Sequence, residues 1–273
     1  MKAAYTGWTW LVNHKDNYQW EFEQSLKEAA DLGYHAVENF AFIKGYFDND
    51  AEAVVKLLKK YGLEMANLYL HLSENEEKDI ANAREYIPFM KQIGATYMNL
   101  QAVMWSDAPN DRPTDDAAVI SYAKCSDKIG AMCKEQGLVA CFHPHANTHV
   151  FRENEIDLLL ENSNPENLSL CIDTAHTYIA GMDVVKAFEK YGKRIAYVHF
   201  KDVDPDESVS PEWPMKRFKP VGDGVVDFKG IHKVLLKYGF DGVICVELDN
   251  PPVCNYKAAM TSARYLHDVL GLI

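Results

Sequence analysis

Strand-like runs and amphipathic helical stretches alternate along the whole chain, and this alternation restricts the fold more than any other feature. Helical stretches carry apolar residues at helical spacing, as at Phe22, Leu26 and Ala29. Repeated strand–helix units build parallel sheets, and eight units is the number that closes a barrel. We therefore predict an α/β fold, a single (β/α)8 TIM barrel. The eight predicted strands are Ala3–Thr6, Ala36–Glu38, Glu64–Leu70, Tyr97–Gln101, Val139–His143, Leu168–Ile172, Ile195–His199 and Val243–Glu247.

Glycines stand at the ends of several predicted helices, where a left-handed C-cap is favoured. They are Gly33, Gly62, Gly94, Gly137 and Gly239. No linker rich in Gly, Ser or Pro divides the chain, so residues 1–273 are expected to form one TIM-barrel domain. The longest irregular segments, Trp105–Thr114 and Asp202–Asp227, both follow predicted strands. Long loops at that end of a barrel usually carry function, so we expect both over the active site.

Charge and composition disfavour several classes of partner. The chain has 40 acidic and 28 basic residues, a net charge of −12, and no dense Lys/Arg run, so no nucleic-acid partner is expected. No apolar stretch approaches the roughly 18 residues of a membrane span, and the first residues do not resemble a secretory signal. The cysteines form no C-x-x-C pair, and Cys141, Cys171 and Cys245 lie in strand-like runs. A cytoplasmic protein with a small-molecule partner is expected, and a homo-oligomer remains open.

Polar side chains stand at or just beyond the ends of most predicted strands. They are Glu38, His71, Gln101, His143, His145, Asp173, His176, His199, Lys201 and Glu247. The carboxyl ends of all eight strands meet at one mouth of a barrel. Carboxylates and imidazoles from the last four strands would share one volume there, where unpaired they would repel each other or remain desolvated at a cost. A bound cation resolves this conflict.

The donor types in this set indicate the kind of ion. Nitrogen and oxygen donors without a thiolate suit zinc, manganese, cobalt or iron, whereas magnesium prefers an oxygen shell. One divalent ion of this group is therefore expected. His143 and His145 are two residues apart on an extended strand and face the same side, so either can bind the ion while the other contacts substrate. The alternative is a buried ion pair without metal.

Four motifs follow one another in the C-terminal half: Asp173-Thr174-Ala175-His176, Val198-His199-Phe200-Lys201-Asp202, Val221-Gly222-Asp223-Gly224-Val225-Val226-Asp227-Phe228 and Val246-Glu247. In this order and spacing they resemble the sugar isomerase/epimerase superfamily of xylose-isomerase-like barrels. The stretch from His143 to Thr148, together with Asn164-Pro165-Glu166, looks most like the inosose dehydratase branch of that superfamily.

The resemblance implies one metal ion held by Glu, Asp, His and Glu from strands five to eight. These positions correspond to His143, Asp173, His199 and Glu247, and the first departs from the pattern because a histidine replaces a glutamate. Epimerases of this group resemble a design in which two glutamates flank the substrate. With one of them replaced, a dehydratase or a one-base isomerase is easier to reconcile with the sequence.

Further roles follow from position relative to these ligands. His176 and Lys201 lie just beyond proposed ligands and are, with Glu247, the candidates for polarising the substrate or transferring protons. The alternative for Lys201 is a salt bridge to Asp202 or Glu38. Polar groups and flat aromatic faces suit a hydroxylated ring. The predicted substrate-binding residues are Trp8, Glu38, His71, Gln101, Trp105 and His145.

A metal ion that polarises a carbonyl and its neighbouring hydroxyl lowers the barrier to removing the α-proton. The sequence therefore predicts enolisation of a small ketose or keto-cyclitol. Reprotonation of the enediolate gives an isomer or epimer, whereas loss of a β-hydroxyl gives a dehydrated ketone, as in an inosose-type dehydratase or another β-eliminating lyase. A metal-dependent endonuclease is disfavoured by the acidic composition, and a non-catalytic sugar-binding protein would need no metal.

Overall fold

Eight parallel strands close into a barrel, which confirms the predicted fold. The computed structural model describes residues 1–9, 17–104, 113–210, 213–248 and 253–273. The strands, in chain order, are β1 Lys2–Thr6, β2 Ala36–Phe40, β3 Glu64–His71, β4 Tyr97–Gln101, β5 Val139–Phe142, β6 Leu168–Asp173, β7 Ile195–Phe200, β8 Asp202–Val203, β9 Phe218–Lys219 and β10 Val243–Val246. Around the barrel the order is β1-β10-β7-β6-β5-β4-β3-β2, while β8 and β9 form a separate two-stranded sheet.

Helices connect the barrel strands. The helices of the described residues are α1 Tyr18–Asp31, α2 Ile43–Tyr46, α3 Ala51–Tyr61, α4 Glu76–Gln92, α5 Asp116–Glu135, α6 Glu153–Glu161, α7 Thr174–Ile179, α8 Val184–Tyr191, α9 Phe228–Lys237 and α10 Asn255–Tyr265. A short 3-10 helix covers Pro214–Arg217, and a π-helical turn covers Leu266–Leu270. Among the described residues, no helix combines the length and the apolar character needed to cross a membrane.

Local sequence signals account for many helix boundaries. The five glycines predicted as helix-ending residues all have positive φ angles, as at Gly62 with φ 68°. The Asp50 side chain accepts a hydrogen bond from the amide of Ala53 at the start of α3, and Asp183 does the same for Lys186 in α8. Such caps satisfy amides that have no partner within the helix. The predicted alternation therefore corresponds to real element boundaries.

The structure corrects several predicted boundaries. Strand β2 continues to Phe40, whereas β5 stops at Phe142 and β10 at Val246. His143 and Glu247 therefore lie one residue beyond their strands. The segment from Asp202 to Asp227, expected to be irregular, contains β8, β9 and the 3-10 helix. The reason is the Asp202 carboxylate, which accepts hydrogen bonds from four backbone amides of this segment and so organises it.

The hydrophobic core has two layers. A small inner cluster fills the barrel and consists mainly of alanine and cysteine side chains around the ring of Tyr197. The predicted interior cysteines, Cys141, Cys171 and Cys245, belong to it and are buried free thiols. A much larger layer lies between the strands and the surrounding helices. Small side chains inside the barrel leave room above them for larger polar groups at the carboxyl ends of the strands.

Candidate metal centre and active site

Four predicted ligands meet at the carboxyl ends of neighbouring strands. One donor atom each from His143, Asp173, His199 and Glu247 lies within 4.8 Å of the others, and all four residues are buried. The strand register explains the convergence, because Asp173 pairs directly with His199, whose other neighbour is Cys245 on β10. The barrel thus brings together residues that are more than one hundred positions apart in the chain.

Asp173 has two distinct carboxylate oxygens. Its Oδ1 accepts hydrogen bonds from the amides of Ala175, at 2.7 Å, and His176, at 2.8 Å, and so caps helix α7. Its Oδ2 has no hydrogen-bond partner among the described residues and lies 3.8 Å from His199 Nδ1. The helix cap therefore fixes the carboxylate and leaves one oxygen directed into the cluster.

His199 is oriented by a carboxylate behind it. Its Nε2 lies 3.1 Å from Glu38 Oε2, and this oxygen also accepts a hydrogen bond from Asn67 Nδ2 at 3.0 Å. A register shift between Val37 and Glu38 brings Glu38 opposite Asn67. With Nε2 donating to Glu38, the Nδ1 lone pair faces the cluster. Metal-binding histidines commonly have such a carboxylate partner on the other ring nitrogen.

His143 has the corresponding arrangement with a backbone carbonyl. Its Nδ1 lies 3.2 Å from the carbonyl oxygen of Cys171, so the Nδ1–H tautomer donates there and leaves the Nε2 lone pair available. Burial, together with the nearby His199 and His145, lowers the pKa of His143 well below its ordinary value. His143 is therefore neutral at physiological pH, which is the state that binds a metal ion.

Lys201 lies within the cluster, fully buried. Its Nζ is 2.9 Å from Glu247 Oε2 and 3.5 Å from Asp173 Oδ2. The sequence left open a salt bridge from Lys201 to Asp202 or Glu38. In the structure Asp202 accepts hydrogen bonds from backbone amides, and Glu38 accepts one from His199. Lys201 therefore compensates the carboxylates that face the candidate metal centre.

Electrostatics of the cluster are dominated by burial and by mutual charge. Burial would lower the pKa of His199, but Glu38 and Glu247 outweigh it and raise the pKa to about 9. Burial raises the pKa of Asp173, while Lys201 opposes this rise. Burial would also raise the pKa of Glu247, but the charges of Lys201 and His199 hold it well below its ordinary value. The cluster therefore needs positive charge, and without an ion a proton on His199 supplies it.

The residues present fit a divalent cation. Asp173 Oδ2 and His199 Nδ1 are buried and have no hydrogen-bond partner among the described residues, whereas Glu247 Oε2, buried beside them, has Lys201 Nζ at 2.9 Å. Such orphaned atoms are rare in native structures and call for an explanation. Asp173 and Glu247 contact Lys201, and Glu38 contacts His199, so three buried carboxylates share one lysine cation. A dication bound through neutral histidines would bring this set to neutrality, and its nitrogen and oxygen donors suit zinc, manganese, cobalt or iron.

A second group of histidines borders the first. His145 and His176 have ring centroids 3.8 Å apart, and together with His143 they place one nitrogen each within 4.8 Å of the others. His176 Nδ1 accepts a hydrogen bond from the amide of Ala146 at 3.3 Å, while its buried Nε2 lacks a partner in the described part of the chain. In contrast to His143, His145 is not part of the four-residue cluster.

A cavity of about 290 Å³ opens beside the cluster. Its lining is Trp8, Phe40, Tyr69, His71, Gln101, Met104, His145, Trp213, Met215 and Glu247. Four of the predicted substrate-binding residues are thus in the wall: Trp8, His71, Gln101 and His145. Glu38 is not in the lining, because it lies behind His199, and Trp105 falls outside the described residues. Trp8 Nε1 donates to Glu247 Oε1 at 3.2 Å, which connects the wall to the cluster.

Several wall residues were not predicted from sequence. Tyr69 lies between Leu68 and Leu70 and reads as part of an apolar strand, but Asn67, Tyr69 and His71 alternate along β3 on one face, a period-two signal that could have identified them. Trp213 and Met215 come from the long Asp202–Asp227 segment, so this segment reaches the cavity, whereas the other long segment, Trp105–Thr114, lies largely outside the described residues. The individual positions of Trp213 and Met215 depend on the folded loop and have no signal in the sequence.

The family model described as the xylose isomerase-like TIM barrel matches residues 26–266, and the chain belongs to this family. Among curated relatives, an inosose dehydratase of Geobacillus kaustophilus is 28% identical over 252 residues, covering 84% of this chain and 80% of the relative. An inosose dehydratase of Lacticaseibacillus casei is 27% identical over 275 residues, covering 92% and 90%. These similarities support an enzyme that modifies sugars.

Solved structures share the fold at low sequence identity. The IolI protein, crystallised with a bound zinc atom, superimposes with a TM-score of 0.78 at 15% identity, covering 99% of this chain and 98% of that one. The probable 3-DHS dehydratase AsbF of Bacillus anthracis gives a TM-score of 0.77 at 15% identity, covering 98% and 99%. At such identities the comparison establishes the barrel architecture.

Proposed function

We propose that this protein is a divalent-metal-dependent enzyme that enolises a small ketose or keto-cyclitol, and that on an inosose the reaction ends in dehydration. The observation that carries the proposal is the cluster of His143, Asp173, His199 and Glu247, in which Asp173 Oδ2 and His199 Nδ1 are buried and have no hydrogen-bond partner among the described residues. The cavity of about 290 Å³ beside it is large enough for one small ring.

The four cluster residues would hold the ion, His143 through Nε2 and His199 through Nδ1. Glu38 and the carbonyl of Cys171 fix the two imidazoles in the required tautomers. A bound divalent ion would polarise the substrate carbonyl and acidify the neighbouring C–H bond. The replacement of a glutamate by His143 leaves Glu247 as the carboxylate that both faces the cluster and lines the cavity.

Glu247 is proposed as the base that removes the α-proton. Its Oε2 faces the cluster, whereas its Oε1 is held at the cavity wall by Trp8 Nε1. Its lowered pKa keeps it ionised throughout the physiological range. Lys201, 2.9 Å from the same carboxylate, stabilises the negative charge that develops on the substrate oxygen and is placed to return a proton.

His176 is proposed to assist departure of the β-hydroxyl, which leaves as water with the proton that Glu247 took from the α-carbon. Since its Nδ1 accepts from Ala146, the neutral ring carries its proton on Nε2, the buried nitrogen that lacks a partner among the described groups. Burial lowers the pKa of His176, so the ring is neutral and offers a hydrogen bond rather than a positive charge. Dehydration is favoured over two-base epimerisation because, among the described residues that line the cavity, Glu247 is the one carboxylate, and because the curated relatives are named inosose dehydratases.

The proposal is tested with protein reconstituted separately with manganese, zinc, cobalt or iron. Each form is incubated with inososes and ketoses in deuterated water, and α-proton exchange and products are followed by NMR. We expect one ion per chain, exchange at the α-carbon of an inosose, and a dehydrated ketone. Exchange accompanied by an isomeric product would show that the enzyme enolises the substrate and acts as an isomerase instead.

Matched variants distinguish the activity of this protein from that of a contaminating enzyme. Glu247→Gln should abolish exchange and weaken metal binding, whereas the exposed Glu161→Gln should change neither. Full exchange in metal-free protein, or unchanged metal affinity in Glu247→Gln, would overturn the proposal. A nuclease function would require binding to nucleic acid that weakens steeply with added salt. The net charge of −12 disfavours such binding.

A further inference from the structure

Tyr69 and Gln101 form a hydrogen-bonded pair in the cavity wall. Tyr69 is 6% exposed and Gln101 3% exposed, and both line the cavity. The phenol of Tyr69 donates to Gln101 Oε1 at 2.7 Å. In the register of β3 with β4, Gln101 stands opposite His71, so Tyr69 reaches it diagonally across the two strands.

The ring of Tyr69 is itself held in place by the candidate metal centre. It lies nearly parallel to the His199 ring, at 13° and 6.2 Å between centroids, and edge-on to the His143 ring at 5.5 Å. The tyrosine thus spans from the two histidine ligands to Gln101. Packing on both sides restricts the phenol to the direction in which it donates to the amide oxygen.

This donation fixes which end of the amide faces the cavity. A phenol is protonated at neutral pH and donates its hydrogen, so the carbonyl oxygen of Gln101 is occupied and the amide nitrogen is the free end. Gln101 Nε2 is buried and has no hydrogen-bond partner among the described residues. A buried donor without a partner is costly, and a ligand oxygen in the cavity would supply the missing acceptor.

We propose that Gln101 Nε2 donates a hydrogen bond to a hydroxyl or carbonyl oxygen of the substrate, and that Tyr69 is the positioning residue that keeps the amide in this orientation. The proposal rests on the function proposed above and adds a specificity rule. The wall at Gln101 accepts an oxygen with a lone pair and rejects a ring carbon without one. An analogue deoxygenated at that position leaves the amide unpaired and binds more weakly.

The substrate oxygen that accepts this hydrogen bond is proposed to be one that the reaction retains, other than the carbonyl that is enolised. Loss of the hydrogen bond should therefore raise KM and leave kcat nearly unchanged, since it is present in both the ground state and the transition state. A neutral hydrogen bond of this kind corresponds to an increase of about three- to tenfold in KM. A merely structural role for Tyr69 would lower kcat or the fraction of folded protein.

The kinetic test uses the metal-reconstituted enzyme with an inosose as the probe. Tyr69→Phe removes only the hydroxyl, and Gln101→Leu removes the amide while keeping similar volume. Both should raise KM by about three- to tenfold, and the double variant should resemble Gln101→Leu alone because Tyr69 acts through Gln101. The matched control is Tyr34→Phe, which removes a buried hydroxyl bonded to the carbonyl of Ala259 and should leave KM unchanged.

A second measurement needs no substrate. In 15N-labelled protein the side-chain amide signals of Gln101 are identified by their loss in Gln101→Leu. Tyr69→Phe should shift them, and Tyr34→Phe should not. An unshifted amide in Tyr69→Phe, an unchanged KM, or additive effects in the double variant would overturn the inference. Absence of proton exchange in the wild-type enzyme with every ketone would instead overturn the proposed function, so the two failures are distinguishable.

Discussion

Replacement of Glu38 tests how the candidate metal centre is held together. In the structure Glu38 lies behind His199 and outside the cavity lining, so we expect it to make no contact with substrate. Its carboxylate accepts the Nε2 hydrogen of His199 at 3.1 Å and thereby directs Nδ1 into the cluster. Glu38→Gln keeps an acceptor oxygen of similar geometry but removes the charge, whereas Glu38→Ala removes the partner altogether.

The size of the effect follows from burial. His199 is 0% exposed and Glu38 1% exposed, so water and salt screen this contact very little. Loss of such a carboxylate partner typically weakens metal binding by about 10- to 100-fold. That range corresponds to about 1.4–2.7 kcal/mol of binding free energy. We expect Glu38→Gln near the lower end, because an acceptor remains, and Glu38→Ala near the upper end.

The assay is competition for the ion against a chelator of known affinity, with bound metal measured by elemental analysis. Thermal melting of the metal-free variants checks that they are folded. Glu155→Gln is the control, because this buried glutamate accepts hydrogen bonds from the amide of Phe151 and from Arg152, and it should bind the ion like the wild type. If Glu38→Ala bound the ion with wild-type affinity, His199 would not be the ligand that Glu38 orients, and the assigned cluster would be wrong.

Three further predictions concern the cluster and its surroundings. His143→Glu should retain the ion but slow the native reaction at least about tenfold, or ~1.4 kcal/mol of barrier, since it adds a third carboxylate to the cluster and makes a bound ion less electrophilic; full activity would refute the role given to His143. Lys201→Met should destabilise the metal-free protein by about 3–5 kcal/mol, because Asp173 and Glu247 lose their cation. A bound ion should restore most of this stability, and an equal decrease in melting temperature with and without a chelator would contradict the prediction. Burial raises the pKa of Cys133 to about 12. The buried thiol therefore contributes its full stabilisation below about pH 9, and this stabilisation is lost as the pH rises toward 12. Denaturant titration should show a smaller decrease in the free energy of unfolding over this pH range in Cys133→Ala than in the wild type.

The sequence by itself determined the architecture of this protein. The alternation of strand and helix periods is local, and so are the helix caps, such as Asp50 and Gly62, that define where helices begin and end. Because a barrel brings all strand ends to one mouth, residues such as Asp173 and Glu247 could be expected to meet although they are distant in the chain. Side-chain type and strand-end position were sufficient for that expectation.

Only the tertiary structure decided which of the residues at the barrel mouth belong to the cluster and which support it. His143 and His145 share one face of an extended segment, yet only His143 reaches the four-residue cluster, because its ring is held by the carbonyl of Cys171. Glu38 lies behind His199 and not in the predicted pocket wall, because a register shift in β2 places it opposite Asn67. Hydrogen-bond partners and register shifts arise from contacts between distant segments. A pattern within one strand carries no information about them, since every alternative partner is equally compatible with the same local periodicity.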